Sequence, residues 1–295
     1  GIALRRCSLG GCAVKLRHTV AIAACLAVLA PAADAGRKLQ APATLADLAQ
    51  RRIEVHSGVP AKADAAQAAV SYEDFLRIED ADPALRAQAL RRLGDLRLAE
   101  AESFAARDDA APQSRAAAVQ AVSAYRALLA EQPGYAGADA VLYQLARALE
   151  FSGDAEGALV ELDQLVARYP RSSHFAEAEF RRGEAFFSAR RYADAEGAYA
   201  AVLASGAPTE FAEQARYKYA WSLFKQNRDE ESSAAFLALL DTLLVVPGNA
   251  RPRSDLTRAQ RELADDAMRA LAITFAATDG PPALQAAIAR HGPAV

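Results

Sequence analysis

The sequence predicts an all-α fold, a right-handed superhelical solenoid of antiparallel helix hairpins repeating every 37 residues. Composition and two columns of small residues carry that expectation. Alanine fills 75 of 295 positions and threonine only seven, a balance that favours helix, which Ala stabilises best, over sheet, where β-branched residues collect. Ala121, Ala158, Ala195 and Ser232 follow one another at intervals of 37, and so do Ala146, Gly183 and Ala220. Each member of the second column stands twelve residues before a member of the first. Two columns with one period and one small-residue chemistry mark a tandem repeat.

Residues 1–35 read as a secretory signal peptide, with residues 1–13 a candidate untranslated leader because no Met opens the chain. Lys15, Arg17 and His18 make a basic start, Thr19–Leu29 an apolar run, and Ala33-Asp34-Ala35 the small residues that precede cleavage between Ala35 and Gly36. The run is too short for a spanning helix, which needs roughly 20 residues. Two rival readings stay open: Ile22–Cys25 as a lipoprotein box with an acylated Cys25, and an uncleaved anchor. The three cysteines, Cys7, Cys12 and Cys25, all precede the cleavage point, so the exported chain would hold no disulfide and no Cys-ligated metal.

Residues 36–61 are expected to form an N-terminal helix, over Thr44–Val55, and a linker. The array proper spans residues 62–241. Ser71, Phe75 and Pro83 reproduce a second helix. Leu93-Gly94 marks the next first helix, but 27 residues separate Gly94 from Ala121; the excess lengthens that helix toward Ala106 and supplies a loop over Arg107–Ser114. Ser152-Gly153-Asp154 and Ala189-Arg190-Arg191 are the tight turns within the hairpins that follow. Small residues such as Ala146 and Ala158 sit where two helices cross. Leu149, Leu162 and Leu165, with their equivalents Phe186, Tyr199 and Val202, fill the space between units. Pro133 and Pro170, also 37 apart, end second helices, because proline lacks the N–H and restricts its predecessor. One hairpin cannot bury its apolar face alone, so the units stack. Residues 242–295 hold a loop, a helix capped by Ser254 or Asp255 and running to about Ala277, and a further helix from Pro281 that the end of the chain truncates.

These features resemble the tetratricopeptide repeat family, in the longer-period variety of bacterial periplasmic proteins such as the β-barrel assembly lipoprotein and the Tol-Pal coordinator. Tyr169-Pro170-Arg171-Ser172 followed by Phe175-Ala176-Glu177-Ala178 carries that likeness, while Arg182 and Ser232 depart from the pattern, which has Leu and Ala there. The resemblance implies an exported, periplasmic scaffold whose first helices line a groove that takes a peptide or a helix of another envelope protein. The alternative is the amino-terminal repeat arm of a longer envelope protein carrying more repeats or a cell-wall enzyme. A weaker reading has a glycan or lipid in the groove.

Candidate groove residues follow i, i+4, i+7 spacing on three first helices. They are Tyr143, Arg147 and Glu150, then Phe180, Glu184 and Phe187, then Tyr217, Trp221 and Phe224. Tyr143, Phe180 and Tyr217 are themselves 37 apart, as packing positions would be. Trp221 shares its column with Arg147 and Glu184, and Phe187 and Phe224 share theirs with Glu150, which favours the groove for these three aromatics.

No phosphate loop, dinucleotide-binding fingerprint, HExxH or GxSxG motif occurs. The acidic pairs lack the spacing of a calcium loop, and His18, His56, His174 and His291 are far apart. The expectation is therefore no catalysis, no metal and no cofactor. A net charge of −3 gives no footprint for nucleic acid, and no integral membrane span is expected in the exported chain.

Overall fold

A computed structural model describes residues 64–107, 110–206, 211–246, 249–277 and 280–292. All of them belong to one compact unit, residues 60–295. The signal segment, its Ala35–Gly36 cleavage point, Cys25 and the Thr44–Val55 helix lie outside the described residues. Eleven α-helices occur among the described residues: α1 (Ala65–Leu76), α2 (Pro83–Ala105), α3 (Ala111–Glu131), α4 (Ala138–Ser152), α5 (Ala155–Arg168), α6 (Phe175–Ser188), α7 (Tyr192–Ala204), α8 (Ala212–Lys225), α9 (Asp229–Leu244), α10 (Arg258–Ala276) and α11 (Pro281–His291). Consecutive helices pack against one another, and α2/α3, α4/α5, α6/α7 and α8/α9 are the hairpins of the repeat.

The turn inside each regular hairpin has one backbone solution. Gly153, Arg190 and Asn227 adopt φ values of 90°, 60° and 58°, and they stand one period apart. A left-handed residue after the helix lets the chain reverse while the last carbonyls of the first helix are still bonded: the Asp154, Arg191 and Arg228 amides donate to Leu149, Phe186 and Leu223. Asp154 then caps α5 through the Gly157 amide at 2.8 Å.

The small-residue columns sit at the helix crossings. Ala121, Ala158, Ala195, Ser232, Ala146 and Ala220 are all buried, and the Ser232 hydroxyl donates to the Ala220 carbonyl across the crossing at 3.0 Å. Gly183 and Gly94 are required there by an aromatic neighbour. A Cβ on Gly183 would lie 2.5 Å from Tyr199 Cε1, and one on Gly94 would lie 2.5 Å from Tyr125 Cε1. Each tyrosine rests flat on its glycine and donates its hydroxyl to the next residue, Tyr199 to Glu184 at 2.6 Å and Tyr125 to Asp95 at 2.8 Å. Leu149, Leu162, Leu165, Phe186 and Val202 are buried between units as expected.

The long hairpin differs in one respect from its sequence-based outline. The Arg107–Ser114 loop is shorter, because α3 already begins at Ala111. Pro112 occupies the first turn, where a missing N–H costs nothing, and the Ser114 hydroxyl donates to the Ala101 carbonyl at 2.8 Å. Past α9, Val245–Val246 and Asn249–Ala250 pair as a two-stranded antiparallel ribbon within the expected loop. The cap of α10 is Thr257 rather than Ser254 or Asp255, closed by a reciprocal bond with Gln260.

Candidate partner-binding surface

First helices of successive hairpins are tied by ion pairs that run in one direction. Glu102 of α2 accepts from Arg147 of α4 at 2.6 Å, Glu150 of α4 from Arg181 of α6 at 2.7 Å, and Glu184 of α6 from Lys218 of α8 at 2.9 Å. Glu73 of α1, a second helix, pairs with Arg97 of the following first helix, α2, at 2.6 Å. Arg147 and Glu184, expected along the groove, are therefore each engaged between repeats.

The aromatic residues of the expected groove divide into separate environments. Tyr143 is 4% exposed; His174, at the start of α6, stacks on its ring at 4.6 Å, and the guanidinium groups of Arg147 and Arg181 lie over it. Burial pushes the Tyr143 phenol up to about 12, with Glu177 adding to the shift. Tyr217 and Trp221 pack edge-on against the fully buried Phe236 at 6.3 and 5.7 Å. Phe224 meets Trp221 at 5.2 Å, and Phe187 meets Tyr192 at 5.3 Å beneath the Lys218 ammonium. Trp221 is thus half-buried in the packing of α8 on α9.

Phe180 has a different setting. It forms part of a cleft of about 710 Å³ between α5 and α6, with Leu159 and Leu162 on one wall and Phe211 at the far side. Phe180 and Phe211 stack at 5.2 Å, and Tyr199 meets Phe180 edge-on at 5.9 Å. Glu150, Glu156, Glu177 and Glu184 surround this apolar floor, with Arg181 the single basic residue among the described lining. Arg181 is already shared by Glu150 and Glu177. Burial raises the Glu150 carboxyl above its ordinary range, against the pull of Arg181 and Arg147. An apolar pocket rimmed by carboxylates suits a bulky side chain presented beside lysine or arginine.

Phe211, Leu159 and Glu156 were not among the residues singled out from the sequence. A signal for Phe211 existed: His174 and Phe211 are one period apart and each stacks on an aromatic 31 residues earlier, Tyr143 or Phe180. Among the described residues no group of three or more His, Cys, Asp and Glu could hold a metal ion. His174 is used in stacking, His291 bonds Asp241 at 2.6 Å, and His18 and His56 lie outside the described residues. No described helix is long and apolar enough to cross a membrane.

No family model and no curated protein matches the chain. Solved structures with a similar course include a tetratricopeptide repeat protein from Parabacteroides merdae, 21% identical, covering 72% of this chain and 70% of that one at a TM-score of 0.47. BtubC from P. vanneervenii is 14% identical, covers 77% of this chain and 86% of its own, and has a TM-score of 0.47. A MamA double mutant is 18% identical, with 58% and 94% covered and a TM-score of 0.36. The internal geometry carries the fold: left-handed turns one period apart in three hairpins, and buried small-residue crossings. The chain folds as an all-α solenoid of the tetratricopeptide-repeat type.

Proposed function

We propose that this protein is a non-catalytic scaffold for protein–protein interactions that grips a peptide or partner helix by an apolar anchor seated between α5 and α6. The observation that carries this reading is the open apolar cleft of Phe180, Phe211, Leu159 and Leu162 inside a ring of glutamates. Burying one leucine or phenylalanine anchor there would contribute about 1.5–3 kcal/mol, and the carboxylates would select ligands with basic neighbours and steer their approach. The ligand is thus a segment with an apolar residue flanked by Lys or Arg.

Export to the bacterial envelope belongs to the same proposal. Its support is the basic start, short apolar run and Ala33-Asp34-Ala35 of the sequence, and it makes another envelope protein the partner. Phe211→Ala tests the binding site, since Phe211 lies at the entry to α8 and is only half-buried. Basic-apolar peptides should bind the parent chain by fluorescence anisotropy and lose about tenfold or more in affinity to the variant. Unchanged affinity in Phe211→Ala, with unchanged melting, would remove the cleft from the reading. Mass spectrometry of the protein secreted into the periplasm tests export; a mature chain that does not begin at Gly36 would refute the proposed cleavage.

A further inference from the structure

The repeat builds a second cleft equivalent to the first, with the opposite charge. It lies between α1 and α2 and has a volume of about 630 Å³. Ser71, Tyr72 and Phe75 line it where Ala158, Leu159 and Leu162 line the other, each pair 87 residues apart. Tyr135, in the segment after α3, takes the place that Phe211 holds after α7. One architecture therefore makes two apolar recesses, each floored by a second helix and closed by an aromatic residue from the following loop.

The rims differ. Among the described residues no acidic side chain lines the α1/α2 cleft, whereas Arg91 and Arg92 both do. Their nearest carboxylate among the described residues is Asp95, which stands 3.7 Å from Arg91 and 3.9 Å from Arg92, beyond good hydrogen-bond range. Asp95 is also committed to the Tyr125 hydroxyl. Two guanidinium groups thus share one carboxylate that bonds elsewhere, while Arg97, Arg147 and Arg181 each hold a carboxylate oxygen within 2.7 Å. Arg92 leaves 69% of its side chain exposed, and Leu85 at the edge is 52% exposed.

We propose that the α1/α2 cleft is a second binding site, for a partner segment that presents an aromatic or bulky aliphatic side chain next to aspartate or glutamate. The apolar side chain enters between Tyr72, Phe75 and Leu85, and the acidic neighbour completes the coordination that Arg91 and Arg92 lack. The scaffold then carries two sockets of opposite preference, and this one does not depend on the α5/α6 cleft.

The test uses the full chain and two short labelled peptides with the same Phe-Leu centre, one flanked by Asp and Glu and one by Lys. Arg92→Glu should weaken the acidic peptide by about tenfold, as reversal of a rim charge does, and leave the lysine peptide unaffected or tighter. Raising salt from about 50 to about 300 mM should weaken the acidic peptide as well. Phe211→Ala, in the other cleft, should leave acidic-peptide affinity within twofold. No binding of the acidic peptide, no response to Arg92→Glu, or loss of the acidic peptide in Phe211→Ala overturns the proposal. Thermal melts of each variant keep the comparison to folded protein; should Arg92→Glu fail to fold, Leu85→Ser supplies the same readout on the apolar wall.

Discussion

Gly183→Ala isolates the helix crossing on which the repeat depends. The added methyl would sit 2.5 Å from Tyr199 Cε1 and 2.8 Å from Cδ1 and Cζ, where carbon atoms prefer about 3.5–4.0 Å. Relief therefore demands about 1 Å of movement from a ring that is fully buried and whose hydroxyl is held by Glu184. Overpacking of this kind costs about 1–3 kcal/mol, and the better helix propensity of Ala returns about 0.8–1 kcal/mol. The net is a loss of up to about 2 kcal/mol, or up to about 8 °C in Tm for a unit of this size. Urea and thermal unfolding followed by circular dichroism read it. Gly197→Ala is the matched control: it lies on α7 with nothing within 4 Å of the added Cβ, so propensity alone should act and Tm should rise. Tyr199→Phe in the Gly183→Ala background should recover part of the loss, because a ring without its tether can shift. Ala220 and Phe236, one period on from Gly183 and Tyr199, belong to one buried cluster, so an alanine and an aromatic are accommodated at these positions. A Gly183→Ala variant as stable as Gly197→Ala would refute the crossing geometry.

Three further outcomes are expected. Arg190→Gly should stabilise by about 0.5–1 kcal/mol in urea titrations, because Arg190 holds a φ of 60° that its neighbour in register fills with Gly153. Trp221→Ala should cost about 1.5–2.5 kcal/mol in the same assay, a half share of what a fully buried tryptophan loses, since its ring packs on Phe236 and Phe224. The folded state holds Tyr143 neutral, with its phenol raised from the ordinary 10.0 to about 12. Its share of stability is therefore complete below pH 10 and is lost as pH rises through about 12. Tyr143→Phe should flatten the fall of the urea midpoint across that window.

Much of the fold was legible because the small-residue columns report a local demand. Ala146 and Ala158 must be small wherever two helices cross at one period, so spacing alone exposed them. The aromatic stripe was harder, because periodicity tells which residues share a helix face but not what covers that face. Tyr143 falls on the same face as Arg147, yet His174, 31 positions downstream, closes over it. Trp221 shares a column with two charged residues, yet Phe236 on the next helix draws it into packing. Arg147 and Glu184 looked like solvated groove residues because their ionic partners, Glu102 and Lys218, sit 45 and 34 residues away. The α5/α6 cleft was invisible for a similar reason: its aromatic pair joins a helix to a connecting loop.

The rungs between first helices point one way along the chain, with the carboxylate always on the earlier hairpin and the cation on the later one at three successive junctions. Such polarity acts as a connector: any hairpin offers a plug to its successor and a receptacle to its predecessor. Modules shuffled in order would then meet with matched charges, whereas a reversed one would set like charge against like. Duplication of a whole unit at the gene level would inherit working joints on both sides without further change.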